Sequence, residues 1–370
     1  MEKFFTTEGA VKPDIHYCLD PLRRINIDEV ETLINAQKYF ILHAPRQTGK
    51  TTSLLALRDY LNQQGRYVAV YANVEGGQAH RNNVDQVQKF IVEEIGQRLS
   101  FVLKEDWPNV LAAEIVDKQQ TNMSSFLSTV CSRLAKPLVL FLDEIDSLVG
   151  DSLVSVLRQL RGGYDQRPEL FPQSVILCGV RDVRDYRIVL SNQDIITGGS
   201  AFNIKAASLR LGNFTQADIR ELYQQHTDAT GQVFDEACYP IVWEATEGQP
   251  WLVNALAYEV TWNMKENRER SVRIIPEMIF RAQEALIYRR VTHLDILIDK
   301  LREDRVRRVI QPILANSEDE EALSTIADDD IQYVEDLGLI KREKPYRISN
   351  GIYKEVIPRE LTWARQQSLL

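Results

Sequence analysis

One stretch limits the fold of this chain more than any other: Ala44-Pro45-Arg46-Gln47-Thr48-Gly49-Lys50-Thr51-Thr52. It follows a short β run, Tyr39–His43, and opens a helical pattern over Lys50–Gln63 in which Leu54, Leu55, Leu57 and Leu61 make an apolar face. A turn of this kind between strand and helix wraps phosphates in backbone N–H groups, and the helix N-terminus adds a favourable dipole. In that setting Lys50 is expected to pair with the β- and γ-phosphates and the Thr51 hydroxyl to ligate Mg²⁺. Gly49 lets the backbone approach without a Cβ. Pro45, Arg46, Gln47, Thr48 and Thr52 complete the cradle. The first glycine of the G-x-x-x-x-G-K-T pattern is Ala44 here. That position ends the strand and gains one methyl, so it should be tolerated.

A second signal is Leu138-Val139-Leu140-Phe141-Leu142-Asp143-Glu144. Five apolar residues followed by two carboxylates describe a buried strand that delivers acids to its C-terminal edge, where open α/β sheets bind ligands. Asp143 is expected to hold the Mg²⁺ shell through water, and Glu144 to orient and deprotonate an attacking water. Asp146 fits a helix cap as well as a functional role. A third strand, Ser174–Val180, ends at Arg181, with Arg184 and Arg187 beyond it. If this strand lies between the two motif strands, Arg181 faces the γ-phosphate, where a guanidinium senses and stabilises transferred charge. The alternative is a surface arginine paired with Asp182 or Asp185. Arg184 or Arg187 could instead serve a neighbouring subunit as an arginine finger.

The remaining pattern supports an α/β core. Strands are expected at Tyr67–Val74 and near Leu209–Leu211, and helices at Val84–Val102, Ser124–Leu134 and around Leu153–Leu160, ending near Gly162-Gly163. After Phe214 only helices follow. Thr215-Gln216-Ala217-Asp218 reads as a capping box. Phe234–Thr246 reads as a helix that stops at Gly248, and Pro250 opens the next one, Trp251–Trp262. Gly248-Gln249-Pro250-Trp251 is either only a turn or a rigid element packing on an adenine base. From about Val291, helices Leu294–Arg302, Val306–Ala315 and Asp330–Leu337 precede a hairpin through Tyr346-Arg347-Ile348, with an acidic linker at Ser317–Glu321. This is the winged-helix order. Residues 1–212 are therefore expected to form the core, 213–290 a helical lid and 291–370 a winged-helix domain.

Composition excludes other classes. The chain has 370 residues, 44% apolar and 26% charged, which argues against collagen, mucin and wholesale disorder. Its apolar runs fall far short of the ~20 residues a membrane helix needs, and the opening Met1-Glu2-Lys3-Phe4-Phe5 has no apolar core of signal-peptide length. Lys and Arg number 44 against 53 Asp and Glu, a net charge of −9, which disfavours indiscriminate coating of nucleic acid. Cys18, Cys131, Cys178 and Cys238 form no C-x-x-C pair, and no H-E-x-x-H occurs. Cys131 and Cys178 read as buried thiols. A reducing cytoplasm fits best.

The order of phosphate loop, Asp-Glu strand, arginine after the next strand, helices with G-x-P and winged helix resembles the bacterial AAA-like ATPases related to the STAND clade of signal-transduction ATPases. The origin-recognition type of AAA+ ATPase is a more distant relation. The resemblance spans about residues 14–365 and is densest at Tyr39–Thr52, Phe202–Phe214, Gly248–Asn254 and Gly338–Leu361. It implies that Lys50 and Thr51 match the Walker A residues, Asp143-Glu144 the Walker B pair, Arg181 the sensor arginine and Pro250 the G-x-P proline. Ala44 departs from the Walker A pattern. Relatives often carry a further C-terminal module, which is absent from this chain or lies beyond it.

Two functions remain in view. One is a Mg²⁺-dependent ATP-hydrolysing switch, bound to ATP or ADP, whose winged helix reports nucleotide state to a protein partner or another protomer. The other is a DNA-associated ATPase that contacts duplex through a basic wing of Lys341, Arg342, Lys344 and Arg347. Charge favours the first, because Asp328, Asp329, Asp330, Glu335 and Asp336 lie on the helix that would enter the groove. No N/T-K-x-D motif for guanine is present, and no acceptor pocket for a small-molecule kinase is evident.

Overall fold

A computed structural model describes residues 2–117, 122–182, 187–191, 193–289, 292–315, 326–341 and 343–367. Arg184, Arg342 and the expected linker Ser317–Glu321 lie outside the described residues, as does the side chain of Arg187. The chain divides into two compact units. A sheet unit comprises Ile25–Ala44 and Lys50–Leu211, and a helical unit comprises Met1–Arg24, Pro45–Gly49 and Gly212–Leu370.

The sheet unit begins with α1 (Ile27–Asn35), capped by Asn26, whose side chain accepts from the Glu29 amide. Then come β1 (Tyr39–His43), α2 (Lys50–Gln64), β2 (Val68–Asn73), α3 (Val84–Leu103), α4 (Trp107–Val116), α5 (Met123–Arg133), β3 (Leu138–Asp143), α6 (Gly150–Gly162) and β4 (Ser174–Gly179). A small antiparallel pair, β5 (Arg187–Val189) and β6 (Ile195–Thr197), precedes α7 (Gly198–Ala201) and β7 (Lys205–Arg210). Five strands form one parallel sheet in the order β2-β3-β4-β1-β7. Every residue of β1, β3 and β4 is buried, which is why those strands read as unbroken apolar runs. Fully buried Phe141 sits at the centre; truncating such a side chain to alanine costs about 3–5 kcal/mol.

This is an α/β fold built on one parallel sheet. Its strand order puts β4 between β1, which leads into the phosphate loop, and β3, which carries Asp143. Because all three run parallel, His43, Asp143 and Gly179 end at one edge of the sheet. Ala44 closes β1: it is fully buried and its amide donates to the Gly179 carbonyl, so the extra methyl is accommodated. Cys131 and Cys178 are buried thiols, and burial pushes the Cys131 thiol up to about 12. Helices α1, α4 and α7 and the β5–β6 pair add to the elements expected from the residue pattern, and the last strand starts at Lys205, earlier than the Leu209–Leu211 run suggests.

The helical unit holds α8 (Gln216–Thr230), α9 (Cys238–Thr246), α10 (Pro250–Tyr258), a π turn (Glu259–Asn263), α11 (Pro276–Tyr288), α12 (Thr292–Leu301), α13 (Asp304–Leu314), α14 (Asp328–Asp336) and α15 (Gly351–Gln367). The capping box forms in full: the Thr215 hydroxyl accepts from the Asp218 amide, and the Asp218 carboxylate accepts from the Thr215 amide. Phe234 does not join α9; it pairs with Ile274 in an isolated parallel bridge, and Asp235 N donates to the Ile274 carbonyl. After α14 the chain makes one antiparallel bridge, Ile340 with Ile348, and then the helix α15, an element beyond the expected winged-helix order. The N-terminal segment is part of this unit: Phe5 is buried against Tyr17, Tyr223 and His226. Among the described residues no helix is long and apolar enough to cross a membrane.

Candidate functional site

The sheet unit gathers a cluster of charges at the carboxyl edge. Asp143, the last residue of β3, is fully buried. Its Oδ2 accepts from the Thr51 hydroxyl at 3.1 Å and from the Tyr71 hydroxyl at 2.9 Å. Its Oδ1 accepts from the Glu144 amide at 2.9 Å and lies 3.7 Å from Lys50 Nζ. Lys50 Nζ is also 3.3 Å from Glu144 Oε1. Lys50 and Thr51 meet these acids because they open α2, directly after β1, while β3 lies two strands away in the same parallel sheet.

Glu144 has φ +58° and ψ +38°, a left-handed conformation that a residue with a Cβ adopts at a cost. Such backbone strain concentrates at functional sites. Asp146 follows in a short 3₁₀ turn, Ile145–Ser147, and its Oδ1 is a buried acceptor without a hydrogen-bond partner among the described residues. Burial opposes the charge on Lys50, but Asp143, Glu144 and Asp146 together outweigh it and lift its pKa above the ordinary lysine value. Glu144 also moves up. Burial is the main cause and Asp143 and Asp146 add to it, so the attraction of Lys50 does not prevail. The Tyr71 phenol is raised by burial first and then by the Asp143 carboxylate, which keeps it a neutral donor.

The loop residues Pro45–Gly49 have their own partners in the helical unit. The Arg24 guanidinium donates to the Thr48 carbonyl at 2.6 Å and to the Gly212 carbonyl at 3.0 Å, and lies over the Phe214 ring at 5.2 Å. Burial lowers its pKa to about 10. The Thr48 hydroxyl donates to the Pro45 carbonyl at 2.8 Å. Gln47 has φ +59°, and its carbonyl accepts from Gln249 Nε2 at 3.3 Å. Arg46 is exposed. Pro250 occupies the first turn of α10 as its fixed φ predicts, and Gln249 caps that helix, its Oε1 accepting from the Leu252 amide at 2.6 Å. Lys341, next to Ile340 of the antiparallel bridge, pairs with Glu247 at 2.8 Å.

Lys50, Thr51, Asp143 and Glu144 are thus brought together. Thr52 lies in the first turn of α2. Arg181 stands half-buried two residues past the end of β4, which does run between the two motif strands. Tyr71 and Arg24 join these settings from outside the sequence motifs, whereas Gln249 belongs to the Gly248-Gln249-Pro250-Trp251 motif. Arg302, Arg305, Arg307 and Arg308 are all paired: Arg305 and Arg308 both engage Asp330, and Arg302 and Arg307 engage Asp299 and Asp304. Of the five carboxylates on α14, Glu335 and Asp336 are buried.

The AAA-like domain family matches residues 22–355. Among solved structures, the Walker-type ATPase of Pyrococcus abyssi superposes with a TM-score of 0.61 at 15% identity, covering 96% of this chain and 99% of that one. The ORC2 protein of Aeropyrum pernix, determined with ADPNP and ADP, gives 0.47 at 13% identity, covering 93% and 95%. The ORC1 protein of the same organism, in complex with DNA, gives 0.45 at 17%, covering 94% and 93%. No curated protein matches the chain.

Proposed function

The chain belongs to the AAA-like domain family, and from that premise we propose that it binds ATP with Mg²⁺ and hydrolyses it slowly or under regulation. The reading is of a STAND-type switch: a core (1–212), a lid (213–290) and a winged helix (291–370) that passes nucleotide state to a protein partner or a second copy of the chain. The observation that carries it is the convergence of Lys50 Nζ and Thr51 Oγ1 on the Asp143 and Glu144 carboxylates within 3.1–3.7 Å.

The roles follow from chemistry. Pro45–Thr52 hold the phosphates, with Lys50 as their cation. The donor set suits a hard cation, since Thr51 offers a hydroxyl and Asp143 a carboxylate, and nearby in the chain Asp146 carries a buried oxygen without a partner among the described residues. Thr51 and Asp143 would hold the Mg²⁺, which when bound neutralises charge on the β- and γ-oxygens. Glu144 takes the proton of the attacking water at its carboxylate, and Arg181 stabilises charge at the far phosphate. Pro250 sets the turn that carries Gln249.

The second reading, a DNA-associated ATPase, has its support in exposed Lys344 and Arg347. It is the weaker one, because Lys341, Arg305 and Arg308 already have acidic partners within the chain. The primary test is calorimetric titration of ATP with Mg²⁺ into wild type and Lys50→Ala. Binding should vanish in the variant; retained micromolar affinity would remove the loop assignment.

A further inference from the structure

We propose that Tyr71 is a positioning residue of the nucleotide site: its hydroxyl, donated to the Asp143 oxygen that also accepts from Thr51, fixes the carboxylate for magnesium. The proposal rests on the Mg²⁺-ATP reading above. A buried phenol needs an acceptor, and a backbone carbonyl is enough. Tyr39 donates to the Pro172 carbonyl at 3.2 Å, and Tyr223 to the Val253 carbonyl at 2.8 Å. Tyr71 is buried too, yet its hydroxyl lies 2.9 Å from Asp143 Oδ2, while Thr51 Oγ1 lies 3.1 Å from the same atom.

The arrangement follows from the sheet. In the β2–β3 register Tyr71 is opposite Phe141 and Asn73 opposite Asp143, so the tyrosine starts one side-chain repeat back and its ring spans the gap to the strand end. Asp143 then has one oxygen held by the Glu144 amide and Lys50, and the other by two hydroxyls. The two pairs fix the carboxylate plane. When Lys50 turns to a phosphate, Oδ1 loses a partner, whereas Tyr71 continues to hold Oδ2. Partners that orient a metal-binding carboxylate in this way change metal affinity or activity by about 10–100-fold when removed.

The test titrates Mg²⁺ against binding of a fluorescent ADP analogue to the full chain, in wild type and Tyr71→Phe, with melting temperatures recorded without metal. We expect the Mg²⁺ concentration at half-saturation to rise about tenfold in Tyr71→Phe, with analogue binding in EDTA unchanged and kcat falling more than KM rises. Replacing Tyr71 by 4-aminophenylalanine, which returns an N–H donor to the para position, should restore most of the shift. Superimposable Mg²⁺ titrations, with only the melting temperature lowered, would overturn the positioning role and leave the ATPase reading intact. A wild type whose nucleotide binding ignores Mg²⁺ would overturn both.

Discussion

The Lys50 ammonium lies 3.3 Å from the Glu144 carboxylate, so the cation proposed for phosphate and the base proposed for water pair with one another. In the proposed function, phosphate oxygens would compete for the same ammonium, and a Lys50 turned to them would leave Glu144 to accept a proton. Glu144→Gln should therefore keep ATP binding and lower kcat by about 10²–10⁴-fold, the usual share of a general base. Phosphate release at the wild-type rate would exclude Glu144 from that role.

The same residue sets a pH dependence. Burial, with help from Asp143 and Asp146, holds the Glu144 carboxyl above its ordinary value of 4.5. Since turnover needs the ionised form, the acid limb of kcat/KM should lie above the normal carboxylate range and be absent from any residual activity of Glu144→Gln. Stability moves the other way. A carboxyl with a raised folded pKa contributes fully below its unfolded value, and that contribution is lost as pH rises through the folded one. Glu144→Gln should thus melt above wild type near neutrality, and the gap should close as pH falls toward 4.5. Melting curves across that range measure it.

What can be read from residues alone depends on how each element is buried. β1, β3 and β4 are covered on both faces, so their apolar runs are visible, and the motif residues at their ends come with them. β7 is an edge strand of alternating exposure, with Lys205 and Arg210 at its ends, and only its last apolar residues stand out. The start of α1 carries a legible signal, since Asn26 precedes Val30 and Ile34 at helical spacing, but the helix is short and only two of its residues are buried. Tyr71 and Arg24 are a different case. A tyrosine inside Val68–Asn73 looks like any core aromatic until the register with β3 is known. Arg24 meets Gly212 across most of two hundred residues, which no local pattern encodes.

Arg24 ties the Thr48 carbonyl to the Gly212 carbonyl, and so braces the phosphate loop from the N-terminal segment. Arg24→Ala leaves both acceptors without this donor and should cost about 1–3 kcal/mol. Because Thr48 lies in the expected phosphate cradle, ATP affinity should fall as well. Both bonds leave from one nitrogen, Nη1, so Arg24→Lys keeps the charge and enough N–H groups but not the planar guanidinium over the Phe214 ring, and it should recover only part of either loss. Chemical denaturation and calorimetry separate the two effects.

Gly338 follows α14 with φ +77°, and a Cβ at that position would lie 2.8 Å from Pro45 Cγ and 2.9 Å from its Cβ. Both the backbone and the space exclude a side chain. Gly338→Ala should destabilise by about 1–3 kcal/mol. Since the atoms it displaces belong to Pro45, first of the loop residues after Ala44, the variant should also weaken ATP binding. Substituting exposed Gly212, where an added Cβ would meet nothing within 4 Å, is the control and should do neither to a comparable degree.

His226, in the helical unit, offers a separate stability signature. It is 1% exposed; its Nε2–H donates to Gln232 Oε1 at 2.9 Å, and its Nδ1 faces the Tyr17 hydroxyl at 3.3 Å. Burial lowers its pKa below 6.5, the Gln232 contact opposes that, and the Arg270 guanidinium, itself paired with Glu2 at 2.7 Å, lowers it further. A depressed folded pKa means the neutral ring's contribution is present above pH 6.5 and is lost as pH falls through the folded value. A single proton limits the slope to about 1.4 kcal/mol per pH unit. Wild type should lose stability on acidification from pH 7, with the N-terminal strap around Phe5 and Tyr17 loosening first. His226→Gln, which cannot take up that proton, should show a shallower fall. Equal slopes in the two proteins would assign the acid sensitivity to other groups.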